Sequence, residues 1–234
     1  MYCTVSHEGQ TSAVTELLDR WCATLAAAGS GATAARQLEA GESLLARWSE
    51  PHRSYHTTAH LAAMLSTVDL LAAAPADATA VQLAAWFHDA VYDPRQDDNE
   101  SASAALVETT LDALGIAAES VAEVARLVRL TATHDPAPDD ANGALLCDAD
   151  LAILAAPPSA YRRYAEAVRA EYAHVEEAAF RTGRAAVLRR LLAQPQLFSL
   201  ASARDKWEKR ARINLAIEVS TLTEGVSARK PLRP

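Results

Sequence analysis

Leu83-Ala84-Ala85-Trp86-Phe87-His88-Asp89-Ala90-Val91-Tyr92 sets an imidazole and a carboxylate side by side in an otherwise apolar run. Taken back to Ala78, the segment is apolar on most helical faces through Val81, Leu83, Trp86, Phe87 and Val91, so it reads as the buried central helix, about Ala78 to Val91. Burying an imidazole and a carboxylate is costly unless something binds or pairs them. A divalent cation satisfies both at once. One cation needs more than two ligands, so the others must lie elsewhere in the chain.

Helical periodicity continues on both sides of this segment. Thr11-Ser12 opens a first helix with Val14, Leu17, Leu18, Trp21 and Leu25 on one face, and a second runs from about Thr33 to Trp48. Pro51 breaks that helix, because proline removes a donor and disfavours helix just before it. A third starts near His56 or Thr57, carries Leu61, Met64, Leu65, Val68 and Leu71, and stops before Pro75. Asp93 to Asp98 reads as a polar turn, with Asn99 as the cap of a fifth helix that Gly115 ends. A sixth helix spans Glu119 to Thr133, His134 to Gly143 reads as a loop, and a seventh helix runs from Ala144 to Ala155. Ser159 to Val175, Thr182 to Ala193 and Ala201 to Leu222 complete an all-α bundle. One domain over 11–223, with flexible ends at 1–10 and 224–234, is the expected organisation.

Composition agrees with this reading. Half of the 234 residues are apolar, dominated by Ala and Leu rather than by the β-branched and aromatic residues of sheets. A net charge of −8 offers no basic face to nucleic acid or to an anionic membrane. Cys3, Cys22 and Cys147 are odd in number and widely spaced, which fits small core hydrophobes in a reducing compartment rather than a disulfide framework. The N-terminus lacks an export signal, and no apolar run approaches the roughly 20 residues that span a bilayer. A cytoplasmic protein is expected. A homodimer is compatible with the helical exterior, although no heptad seam marks one.

Further metal-capable residues stand where helices are expected. His56 and His60 are spaced to share one helical face, and Asp148 and Asp150 lie in an apolar run with Leu145, Leu146, Leu151 and Ile153. The ordered set His, His-Asp, Asp on separate helices resembles the HD superfamily of metal-dependent phosphohydrolases. Trp48-Ser49-Glu50-Pro51-His52-Arg53-Ser54-Tyr55-His56, Trp86 to Pro94, Asn99-Glu100-Ser101-Ala102 and Asp148 to Leu154 resemble a bacterial family of predicted HD phosphohydrolases whose substrate is unassigned. Glu171-Tyr172, Phe180 to Arg184 and Ala211 to Leu215 carry the resemblance into the C-terminal half, so that it covers about residues 15 to 220.

That resemblance implies an HD-domain helical bundle with extra C-terminal helices and a cation held by His60, His88, Asp89 and Asp150. His56 against His60, and Asp148 against Asp150, remain alternatives, with Asp148 then orienting a ligand. Two nitrogens and two or more oxygens suit manganese, iron, cobalt, nickel or zinc better than magnesium or calcium. One such site is expected and a second is possible, with Glu100 as a candidate ligand. The implied activity is hydrolysis of a phosphoester or phosphoanhydride of a small metabolite, a nucleotide by expectation, with His56 as acid, Asp89 at the reacting centre and Arg53 as a phosphate fork. His134, in a Pro-rich loop, is at best a second-site or pocket-rim residue for substrate contact, and Arg181 and Arg184 are candidates for anionic substrate or for helix-flanking salt bridges. His52 is a loop anchor or a surface residue; Glu171 and His174 lie on a lid or a solvated face. A two-iron HD oxygenase and a non-catalytic sensor pinned by its metal are the competing readings.

Overall fold

Ala- and Leu-rich segments with apolar positions every three or four residues have one economical solution, which is to bury their stripes against each other. The computed structural model describes residues 7–73 and 75–227, and every regular element among them is helical. The first seven helices are α1 (His7–Ala27), α2 (Ala34–Trp48), α3 (Thr58–Leu71), α4 (Ala78–Phe87), α5 (Asn99–Ala113), α6 (Ala118–Leu130) and α7 (Ala141–Asp150). A 3-10 turn (Leu151–Ala155) follows, then α8 (Pro158–Glu171), α9 (Glu177–Ala193), a short α10 (Ala201–Ala203), a π-helical turn (Arg204–Glu208) and α11 (Lys209–Ser227). Among the described residues no single helix is long and apolar enough to cross a membrane. The expected flexible ends fall outside the described residues at 1–6, which include Cys3, and at 228–234; the backbone is helical from His7 and up to Ser227.

The chain divides into two compact units, with the boundary between Leu146 and Cys147 inside the unbroken helix α7. In the first unit α4 is the central helix, packed against α1, α3, α5 and α6. Its residues Ala84, Ala85, Trp86 and Phe87 are wholly buried, as its all-round apolarity predicts. Trp21 of α1 meets Trp86 and Phe87 edge-on, with ring centroids 5.2 and 6.0 Å away. Gly41 lets α2 come close: a Cβ there would stand 2.6 Å from the Trp21 ring. In the second unit α9 and α11 pack side by side, and buried Asn214 of α11 donates to the carbonyls of Leu154 and Ala156 at the end of the 3-10 turn.

Several boundaries differ from the sequence reading, each for a local reason. α4 ends at Phe87 rather than Val91, and His88 takes the C-cap position. α3 begins at Thr58, which leaves His56 in the preceding loop rather than on the helix's first turn. α7 begins at Ala141, three residues early, because the Asp140 carboxylate accepts from the Gly143 N–H at 2.8 Å and closes the first turn. Asn99 does not cap α5; its amide staples the Asp93 turn, accepting from the Asp93 N–H at 3.0 Å and donating to the Asp93 carbonyl at 2.9 Å. Gly115, with φ +73°, ends α5 as expected, and Ile116 N–H reaches back to the Leu111 carbonyl.

Candidate metal centre

His60 lies in the first turn of α3 and His88 at the end of α4, where both helices turn their apolar faces inward. Both side chains are buried, His88 with only 1% of its surface exposed. The Nδ1 of His88 stands 2.9 Å from the Ala85 carbonyl. A carbonyl can only accept, so Nδ1 carries a hydrogen and, whenever the ring is neutral, Nε2 presents a lone pair. That Nε2 faces the Nε2 of His60 at 3.4 Å and a carboxylate oxygen of Asp89 at 3.1 Å. The same Asp89 oxygen is 3.8 Å from Nε2 of His56. Asp150, the fourth residue of the expected set, is half-buried at the end of α7.

This donor set fits a cation on its own chemistry. Two imidazole nitrogens and a carboxylate oxygen converge on one place, the kind of donor set a cation takes. The spacing also fits: two ligand atoms each about 2.1 Å from one ion stand about 3.0 Å apart at a right angle and about 3.4 Å apart at the tetrahedral angle.

Aromatic rings wall the histidines. The Trp48 ring lies 5.4 Å from His88 and 6.2 Å from His60, and its Nε1 donates to the Trp86 carbonyl at 3.0 Å. Tyr55 packs on His60 at 4.7 Å and on His56 at 4.8 Å, while His56 also lies 4.3 Å from the Tyr92 ring. His56 keeps 21% of its side chain exposed, so it sits at the rim between the buried ligands and solvent.

Other expected site residues have different work. Arg53, expected as the phosphate fork, has a side chain with no exposed surface, and all of its N–H groups are spent inside the protein. Arg184, expected at substrate, pairs with Glu218 at 2.8 Å and with the Tyr164 hydroxyl at 3.2 Å, forming a polar pin with buried Tyr161 in the second unit. Arg181 likewise donates to the Thr221 carbonyl at 2.6 Å. Asp148 is not an orienting acid: fully buried, it accepts the N–H groups of Ser199 and Leu200, each at 2.7 Å. Burial pushes its carboxyl up to about 6, against the lowering effect of those two donors and of Arg204.

The remaining candidates separate cleanly. His52 anchors a loop, donating to the Tyr92 carbonyl at 2.7 Å. Glu171 is buried rather than solvated, His174 is exposed, and Glu100 sits in the first turn of α5, where an acid complements the helix dipole. His134 is half-buried in the loop after α6, with φ 52°. Among the cysteines, Cys147 is buried and Cys22 half-buried, as small core residues should be.

Sequence reasoning missed Ser103 and the Ala85 carbonyl. Ser103 is buried in α5, and its hydroxyl exchanges hydrogen bonds with the N–H and carbonyl of Val91, at 3.0 and 3.2 Å. Nothing at the sequence level distinguishes that serine from an ordinary helical one, and a main-chain carbonyl carries no sequence signal at all. Comparisons of the chain with protein-family models, with curated proteins and with solved structures find no match. A functional reading therefore stands on the geometry of the His60–His88 cluster and on the resemblance described above.

Proposed function

We propose that the protein is a metal-dependent hydrolase of the HD type, acting on a phosphoester or phosphoanhydride of a small metabolite such as a nucleotide. The observation that carries this reading is the convergence of the His60 and His88 Nε2 atoms with the Asp89 carboxylate, His88 being oriented by the Ala85 carbonyl. His60, His88, Asp89 and Asp150 would hold the cation. When bound, a divalent transition metal lowers the pKa of its water and neutralises phosphoryl charge. The chain's own residues do the rest. Trp48 and Tyr55 wall His88 and His60, which are buried. Asp89 faces both His88 and His56, so it links the buried cluster to the rim. His56, partly exposed there, is placed to deliver a proton to a leaving oxygen. Arg53 is withdrawn from substrate contact because all five of its N–H groups are engaged, and Arg184 spends its Nε and Nη2 donors on Glu218 and Tyr164.

The deciding experiment screens phosphorylated metabolites against manganese-loaded protein and reads released phosphate. Release that disappears with chelator and with His88→Ala supports the reading. The approach of His56 to the same Asp89 oxygen favours one second reading, a two-iron oxygenase in which His56 joins the ligands. Two bound irons with oxygen consumption and no phosphate release would establish that alternative and end the first.

A further inference from the structure

Past the end of α4 at Phe87, the carbonyls of residues 89 to 92 stand outside the helix's own hydrogen-bond ladder and need donors from elsewhere. The loop after α2 and helix α5 supply them. Arg53 donates through Nη1 to the Asp89 carbonyl at 2.8 Å and to the His56 carbonyl at 3.2 Å, and through Nη2 to the Ala90 carbonyl at 3.3 Å. Its remaining donors meet the Glu50 carboxylate, Nε at 3.1 Å and Nη2 at 3.0 Å. All five guanidinium N–H groups are therefore matched, which is the full capacity of the side chain. The plane is held between Trp48 and Tyr92, at 5.5 and 5.3 Å from the ring centroids. His52 takes the Tyr92 carbonyl and Ser103 the Val91 carbonyl, so four consecutive carbonyls from 89 to 92 are all bound from outside the helix.

We infer that Arg53 is a positioning residue of the metal centre, which sets the His88–Asp89 turn against the His56 loop through the backbone; the inference rests on the reading of that cluster as a metal centre. The argument is one of geometry. Asp89 aims its carboxylate at His88 only because α4 stops at Phe87, and the bonds from Arg53 to residues 89 and 90 help define where the chain leaves the helix. Arg53 simultaneously holds the carbonyl of His56, so one planar group fixes the spacing of the two segments that carry His56 and Asp89. Glu50 neutralises the guanidinium, so this buried charge does not oppose a cation nearby. Lysine cannot replace it, having three donors on one atom and no planar fork.

The test is a Co(II) titration of the metal-free protein, read by visible d–d absorption, alongside thermal unfolding of the same samples. Arg53→Lys should stay folded, weaken Co(II) binding by roughly 10- to 100-fold, as loss of outer support to ligands does, and change the absorption band. Glu50→Ala keeps Arg53 but frees one edge of its fork, and should weaken Co(II) binding in the same direction by less. It also serves if Arg53→Lys fails to fold. A variant whose folded fraction binds Co(II) with wild-type affinity and an unchanged band reduces Arg53 to a structural residue and overturns the inference. Wild type that binds Co(II) but releases no phosphate defeats the hydrolase reading and leaves this inference standing. Wild type that binds no Co(II) defeats both.

Discussion

Asp89→Asn should raise the stability of the metal-free protein and abolish its stabilisation by metal, so that the order of wild type and variant reverses between chelator and cobalt. The Nδ1 of His88 is committed as a donor to Ala85, which leaves the neutral ring's Nε2 lone pair facing the Asp89 carboxylate oxygen at 3.1 Å. With the ring neutral and no cation bound, this contact opposes two acceptors. The substitution is isosteric, and its amide N–H can donate to that lone pair. One hydrogen bond gained is worth about 1 kcal/mol. For a chain of 234 residues, 1 kcal/mol moves Tm by about 2–4 °C. In EDTA the variant should therefore melt about 2–4 °C above wild type.

Metal reverses the comparison. Ligand binding to the folded state alone adds about 2.7 kcal/mol at a free concentration of about 100 Kd, which lifts wild-type Tm by about 5–11 °C on the same conversion. The variant lacks a carboxylate ligand and should gain little. Differential scanning calorimetry of both proteins, in EDTA and in excess Co(II), reads all four values. If the variant is instead less stable than wild type in EDTA, the His88–Asp89 contact is an ordinary ion pair with a protonated ring, and the lone-pair argument fails. If the variant keeps the full cobalt shift, Asp89 is not a ligand.

The other predictions concern single side chains. His56→Ala should retain Co(II) affinity while losing phosphate release; loss of cobalt would make His56 a ligand and exchange its role with His60. Gly41→Ala should destabilise by about 1–2 kcal/mol in a urea melt, because overpacking against the buried Trp21 ring costs about 1–3 kcal/mol and improved helix propensity returns at most about 1. A gain in stability would mean that Trp21 swings aside despite its 2.7 Å hydrogen bond to the Gln37 carbonyl. Asp148→Ala should cost about 2–4 kcal/mol by stranding two buried N–H groups, with faster amide exchange at Ser199 and Leu200 and unchanged cobalt affinity. Unchanged exchange with lost cobalt would return Asp148 to the metal.

The helices were legible because periodicity and breakers are local properties. Trp86 and Phe87 announce a buried helix, Gly115 a helix end, and the all-α class follows from the abundance of Ala and Leu. The end of α4 was not legible. Ala90-Val91 prolongs the apolar run and reads as more helix, whereas the chain turns at His88 because Arg53, His52 and Ser103 take the carbonyls from 89 to 92. Those bonds join residues 12 to 40 positions apart in the chain, and no local pattern encodes them. Arg53 was misread for the same reason. An arginine beside a candidate site looks like an anion binder until its five donors are counted against the carbonyls around it.

The pair Asp148 and Asp150 shows what decides such cases. Residues two apart on a helix point about 200° away from each other, so one cluster cannot take both. Each needs its own compensation if buried, either N–H donors or a cation. The sequence around them is apolar on both sides and cannot choose between them. Ser199 and Leu200, just before α10, offer two N–H groups that lack helical acceptors, and Asp148 meets both. Asp150 points the other way. Asp148 is thus claimed by a helix start some 50 residues further on, which leaves Asp150 as the acid proposed for the cation.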